Sequence, residues 1–493
     1  MTDERLQMPE CTPEETGVPS KAIEKYINAL TEQRLSLHDV IMVRHGKIIF
    51  EAYWKPMHAD FRHRLYSCSK SFVSVAVGLL IEKGLLKLED KVLRFFKDKA
   101  PANPHPWLEM MTVRDLLRMS TCYENSFSYT PSDPDWEATF FTDPVSHMPG
   151  TVYSYCTTAT TMLCMIIKRV SGLEFTQVLR PVLDRIGISE DFYCIKTPCG
   201  HDWGGSGVMA TPREFAKFAN LILHYGLHDG QQLLPRSYLI EATTKQIDNS
   251  VYHDFADDAC GYGYQFWITR NKGFLFHGMG CQFALCLPDK DFVLVTNGYE
   301  ELNKRGAAEI FNAFWREIYP VLGEETLPAD VLGHRSLLER AARLELLRPE
   351  GKLASPMVQA LNGAVFQMQE NSMGMRRLSF EFGADSGVMR YETARGKHAL
   401  PFGFGKQVSC QFPETHYFGA QIGVPLGRGL DCFVSAAWGS ENELILYCHV
   451  TDMHLAQMRI VVCFKDGAVT LHIVKHAEYL LTEYSGFASG TRI

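Results

Sequence analysis

The chain lacks an N-terminal export signature: MTDERLQMPECTPEETG is acidic, with neither a basic start nor an apolar run. No stretch approaches the roughly 20 apolar residues of a membrane span. No C-x-x-C pair occurs among the fourteen cysteines, which are scattered through both halves and read as reduced thiols. These absences imply a cytoplasmic protein without a membrane partner. There is no dense Lys/Arg block either: 49 Lys and Arg stand against 57 Asp and Glu, a formal charge of −8, which argues against nucleic acid as a partner. Internal repeats and low-complexity tracts are missing. So are His-Glu-x-x-His and any clustered Cys/His set, and neither a metal nor another cofactor is implied.

The residues that are present describe a folded chain. A composition of 46% hydrophobic and 22% charged residues supports a packed core. At 493 residues the chain exceeds the roughly 250–300 that one core spans, which predicts two domains or one with a large appendage. Residues 40–53, VIMVRHGKIIFEAY, alternate around His45-Gly46-Lys47 as a β-hairpin does. Thr112-Val-Arg-Asp115 and Thr211-Pro-Arg-Glu214 carry the signals of helix starts, the second with proline at the first helical position. Residues 275–297 read as two apolar strands around Pro288-Asp289-Lys290-Asp291. From about Val321 a charged stretch with helical spacing in its middle reads as a linker or bridging helix. Beyond Ser355 the pattern is mostly strands, with a hairpin at Asp466-Gly467, and predicts an antiparallel barrel or sandwich. The implied organisation is 1–320, 321–354 and 355–493.

Chemistry is concentrated in YSCSKSFVSVAVGLLIEKG, residues 66–84. Ser67 and Lys70 are three apart, so on a helix a hydroxyl and an ammonium share one face. A lysine beside an apolar helix can lose its proton readily enough to activate a serine, and the helix N-terminus offers N–H groups to an oxyanion. Ser67 begins the only Ser-x-x-Lys in the chain, and FVSVAVGLLIEKGLLKLEDKV reads as a buried helix behind it. A serine at a helix start also serves as a plain N-cap. Further on, Pro149-Gly150 leads to Tyr155 and a second apolar helical run, where a tyrosine either relays a proton or simply packs. His277-Gly278-Met279-Gly280 reads as the opening of a strand whose glycines permit close approach of backbone to a ligand, or as a Gly-rich bend.

With these three elements in this order, the chain resembles the serine β-lactamase-related family: class C β-lactamases, low-molecular-weight penicillin-binding proteins, and esterase and D-aminopeptidase cousins. The resemblance covers roughly residues 10–320 and extends to VRDLLRMST, Trp203-Gly-Gly-Ser-Gly and GYGYQFW at 261–267. It implies an α/β sandwich, an antiparallel sheet flanked by helices, followed by a lipocalin-like β-barrel. It implies Ser67 as acylated nucleophile, Lys70 as base and Tyr155 as proton relay. Thr157 stands where the family's Tyr-x-Asn motif has asparagine. His277 falls near the family's Lys-Thr-Gly or His-x-Gly strand, with Gly280 favoured as the motif glycine and Gly280 or Cys281 as oxyanion donor. Tyr26-Ile-Asn28, Ser440-Glu-Asn442 and Lys465-Asp-Gly467 are decoys, and Val208 spoils Gly204-Gly-Ser-Gly-Val208 as a nucleophile elbow.

The implied function is a metal-independent serine hydrolase whose partner is a small-molecule ester or amide, including peptides with D-residues; a homo-oligomer is left open. Acyl transfer on the same scaffold, a catalytically weak ligand-binding homologue, and a barrel that carries the function are the competing readings. Loops 123–147 and 244–260 are expected to set selectivity.

Overall fold

A computed structural model describes residues 7–124, 135–253, 255–300, 306–415, 428–477, 481 and 483–493. Part of the 123–147 loop (125–134) and Asp254 of the 244–260 loop lie outside these residues. The chain forms two compact units, Met1–Glu345 and Leu346–Ile493.

The first unit is organised by a six-stranded antiparallel sheet. Its hairpin joins β1 (Leu37–Arg44) to β2 (Lys47–Tyr53). The turn residues His45 and Gly46 are both left-handed, at φ 51° and 70°, matching the twist of the flanking strands. Three further strands close the sheet: β4 (Phe274–Gly278), β5 (Gln282–Leu287) and β6 (Phe292–Gly298), with the short β3 (Trp267–Ile268) at one edge. The strand order is β2-β1-β6-β5-β4-β3. Every residue of β1, β5 and β6 is buried, so the sheet is covered on both faces.

Helix α1 (Ser20–Glu32) packs against α5 (Val331–Ala341), which places the predicted bridging helix inside the first unit. Helix α4 (Pro212–Leu223) lies across β1, β5 and β6. Its start follows from local chemistry: the Thr211 hydroxyl accepts from the Glu214 N–H, and the Glu214 carboxylate accepts from the Thr211 N–H at 2.9 Å. Helix α2 (Ser69–Glu82) is packed among other helices, including α3 (Thr157–Ser171).

Two sequence expectations change here. Residues 275–297 contain parts of three strands rather than two, because the chain reverses again at Met279–Cys281. The long apolar run after Ser69 stops being helical at Glu82. Gly84 is left-handed at φ 69°, its N–H bonds to Ile81 O, and the Leu85 N–H bonds to Leu80 O, a glycine C-cap that ends the helix.

The second unit is a closed barrel of nine strands: β7 (Val365–Met368), β8 (Arg377–Phe382), β9 (Ser386–Thr393), β10 (Gly396–Phe404), β12 (Leu430–Trp438), β13 (Glu443–Thr451), β14 (Leu455–Lys465), β15 (Ala468–Ala477) and β16 (Gly486–Arg492). One further strand, β11 (Val408–Phe412), extends the pairing of β12. Two antiparallel runs, β7–β10 and β12–β16, meet at an antiparallel β7–β16 seam and at a β10–β12 seam that is parallel. The barrel is therefore not wholly antiparallel. The predicted Asp466-Gly467 hairpin is present, with both residues left-handed.

Removing the cap on α4 tests the local argument. Thr211→Ala is expected to lower unfolding stability by about 1 kcal/mol, read from the urea midpoint.

Candidate active site

Ser67 sits in a single 3₁₀ turn, Tyr66–Cys68, that runs directly into α2. The turn is tense, since Tyr66 is left-handed at φ 47°. The strand before it, His63–Arg64, pairs with Val208–Ala210, and the Ser69 hydroxyl accepts from the Val208 N–H at 2.9 Å. From Ser69 to Leu80 every side chain of α2 is buried, as expected of a helix that is apolar all round.

This burial captures Lys70. Its side chain is 1% exposed, and Nζ lies 2.9 Å from Ser67 Oγ and 2.6 Å from the Gly205 carbonyl oxygen. Loss of solvation brings its pKa from 10.5 to about 7, and the Arg64 charge pushes in the same direction. The Tyr155 ring is 5.1 Å from Nζ, and its hydroxyl is near enough to Ser67 to feel it electrostatically. Burial holds the Tyr155 phenol above its ordinary range, so near neutrality it keeps its proton. Ser67, Lys70 and Tyr155 are thus brought together.

Thr157 opens α3 and reaches the same place by contact. A Cβ built on Gly205 would stand 2.7 Å from Thr157 Cγ2, so the threonine methyl abuts the glycine whose carbonyl receives Lys70. His277 is at the end of β4 and not the start of a strand. Its ring lies between Trp267 and Phe283, at 5.0 and 4.8 Å. Burial lowers the His277 pKa, against the opposing pull of Asp258.

The glycine that touches the Ser67 turn is Gly278. A Cβ there would stand 2.4 Å from Leu65 O and 3.0 Å from Cys68 Sγ. Gly280 is left-handed at φ 80° and packs instead against Gln282 and the Gly298 carbonyl. Cys281 is also left-handed, at φ 72°, and burial pushes its thiol above the ordinary range. The decoys fall elsewhere: Tyr26 lies buried in α1, and Ser440 and Gly467 lie in turns between barrel strands.

Three residues that the sequence did not single out as site residues, Arg64, Gly205 and Gln265, complete the geometry. Arg64 is fully buried, stacks over Tyr66 and Trp203 at 4.5 and 4.7 Å, and donates to Ser206 O and Oγ at 2.9 Å each. It therefore pins the loop that presents Gly205. Its signal was the second of two arginines, Arg62 and Arg64, shortly before Ser67. Gln265 accepts from Thr160 Oγ1 at 2.6 Å and donates to Leu116 O and Leu117 O, while its carbonyl takes the Ser71 hydroxyl. Gln265 and Gly205 lie in the stretches GYGYQFW and Trp203-Gly-Gly-Ser-Gly, which by themselves did not single out either residue.

The family described as Beta-lactamase matches residues 23–310. The chain belongs to this beta-lactamase family. A 6-aminohexanoate-dimer hydrolase from Paenarthrobacter ureafaciens is 24% identical over 298 residues, covering 55% of this chain and 74% of that relative. A solved 6-aminohexanoate-dimer hydrolase candidate from Bacillus anthracis superposes with a TM-score of 0.53 at 18% identity, covering 66% of this chain and 89% of its own. An octameric penicillin-binding protein homologue from Pyrococcus abyssi has a TM-score of 0.49 at 14% identity, over 95% of this chain and 99% of its own. The beta-lactamase-family fold thus comprises the sheet, its helices and the Ser67 turn.

Among the described residues no three His, Cys, Asp or Glu side chains gather as a metal-binding set, no helix is long and apolar enough to cross a membrane, and no disulfide joins the cysteines. Adding one methyl group probes the contact between β4 and the turn. Gly278→Ala is expected to displace the Ser67 turn, lowering stability by about 1–3 kcal/mol and slowing any covalent labelling of Ser67, read by denaturant midpoint and intact mass.

Proposed function

We propose that the chain is a serine hydrolase that cleaves small esters or amides through an acyl-enzyme on Ser67. The observation that carries this reading is the buried Lys70 amine 2.9 Å from Ser67 Oγ, poised to be neutral near pH 7. In that state Nζ retains an N–H for Gly205 O and directs a lone pair at the serine proton. Ser67 Oγ attacks the substrate carbonyl as its proton passes to Lys70. The Tyr155 phenol, beside Lys70 and Ser67, delivers a proton to the leaving alcohol or amine and is recharged from Lys70. Water then attacks the acyl carbon, with the same groups returning the proton to Ser67.

For the oxyanion we assign the N–H of Ser67 and that of Met279, the residue that follows the glycine in contact with the Ser67 turn. Thr157, in the position of an asparagine that would hold a substrate amide, offers only a hydroxyl and a methyl, and supports Gly205. The amide class draws on the aminohexanoate-dimer hydrolase relative, and esters undergo the same acyl transfer to serine. All the residues assigned here lie in the first unit, so we assign the chemistry to it and not to the barrel.

Intact-mass measurement after exposure to a fluorophosphonate tests the reading. One adduct per chain is expected on wild type and none on Ser67→Ala. Lys70→Ala is expected to slow labelling by roughly 10²–10⁴. An unlabelled wild-type chain overturns the proposal. The pH profile gives a second check: the wild-type labelling rate is expected to rise with pH through about 7, as the Lys70 amine becomes neutral, and then level. A profile flat from pH 5 to 9 would show that Lys70 is not the base.

A further inference from the structure

Beside the Gly278–Cys281 turn lies a cavity of about 70 Å³, whose lining includes Asp258, His277, Gly278, Met279, Phe283 and Glu300. Two polar atoms on its wall, Asp258 Oδ1 and His277 Nε2, are shielded from solvent and have no hydrogen-bond partner among the described residues. They lie 3.6 Å apart, beyond a hydrogen bond. A buried carboxylate oxygen left without a donor is costly, so the pair requires an occupant.

The surroundings define that occupant. Burial favours the neutral imidazole, and we place its proton on Nδ1, the nitrogen away from the partnerless Nε2. Nε2 of the neutral ring is then a lone-pair acceptor, so both orphaned atoms call for donors. Among the described residues the lining holds two carboxylates, Asp258 and Glu300, and neither lysine nor arginine. The nearby Arg270 is spent on Asp257, donating from Nε at 3.0 Å and Nη2 at 2.6 Å. The space is about that of two waters, enough for a small head group and a methylene. Rings lead to it from the nucleophile: Tyr155 is 5.7 Å from Trp267, which is 5.0 Å from His277, giving an alkyl chain an apolar wall.

We propose that this cavity is a subsite for a primary ammonium group of the substrate, held between the Asp258 carboxylate and the His277 imidazole. One –NH3⁺ satisfies both orphaned acceptors and neutralises Asp258, while its alkyl chain runs along Trp267 towards Ser67. That the bound amine belongs to a substrate rests on the reading of Ser67 as the reacting serine; binding itself does not.

The test uses the full chain at pH 7.5 with n-hexylammonium and 1-hexanol as probes, binding being read by calorimetry and by protection from fluorophosphonate labelling. Wild type is expected to bind the ammonium at least tenfold more tightly than the alcohol. Asp258→Asn is expected to erase that preference. Equal binding of the two probes by wild type, or a preference that survives in Asp258→Asn, overturns the subsite. The wild-type comparison decides the matter even if the variant fails to fold. If no serine is labelled but the ammonium still binds through Asp258, the hydrolase reading fails and the subsite stands.

Discussion

The arrangement depends on one constraint: an amine is held in the protein interior within hydrogen-bond reach of a serine. Moving the Lys70 pKa from 10.5 to about 7 corresponds to a penalty on the order of 5 kcal/mol against its charged form. The amine cannot escape that penalty by reaching for water, because α2 is buried on every side. It is stabilised instead by the Gly205 carbonyl, the Ser67 hydroxyl and the face of Tyr155. The apolar sequence of α2 thus has a chemical consequence as well as a packing one.

Close approach of backbones supplies the remaining geometry. Gly278 lets β4 press on the Leu65–Cys68 turn, and Gly205 lets its loop press on Thr157 at the start of α3. A side chain at either position would meet atoms within van der Waals distance, so the sheet edge, the turn and the loop are mutually locked. Arg64 reinforces the lock by binding Ser206 next to Gly205, and its charge also favours the neutral form of Lys70. Positioning and electrostatics here are carried by the same side chain.

Burial tunes each titrating group in the direction its type dictates. The amine of Lys70 and the imidazole of His277 move down, and the phenol of Tyr155 moves up, so near neutrality all three favour uncharged forms. Asp258 Oδ1 beside His277 is a contrast within the same unit, since a buried acceptor without a donor is unfinished chemistry. That contrast separates the groups of the proposed reaction from those available to bind a substrate.

By itself the sequence determined the elements set by local rules: the hairpin at His45-Gly46, the capped start of α4, the strands of the second half and the Asp466-Gly467 turn. It also determined that Ser67, Lys70 and Tyr155 are candidates, because a nucleophile three residues from an amine before an apolar run is a short-range pattern. It left unresolved which of Gly278 and Gly280 meets the nucleophile, since both are glycines and only the register of β4 against β5 and the Ser67 turn separates them. It could not assign a role to Arg64, Gly205 or Gln265, whose partners lie far along the chain or act through a carbonyl that every residue possesses. It misjudged the end of α2, where Gly84 outweighed the apolar run. The parallel seam of the barrel and the unpaired Asp258–His277 atoms belong to the tertiary structure alone, because they arise from segments brought together through space.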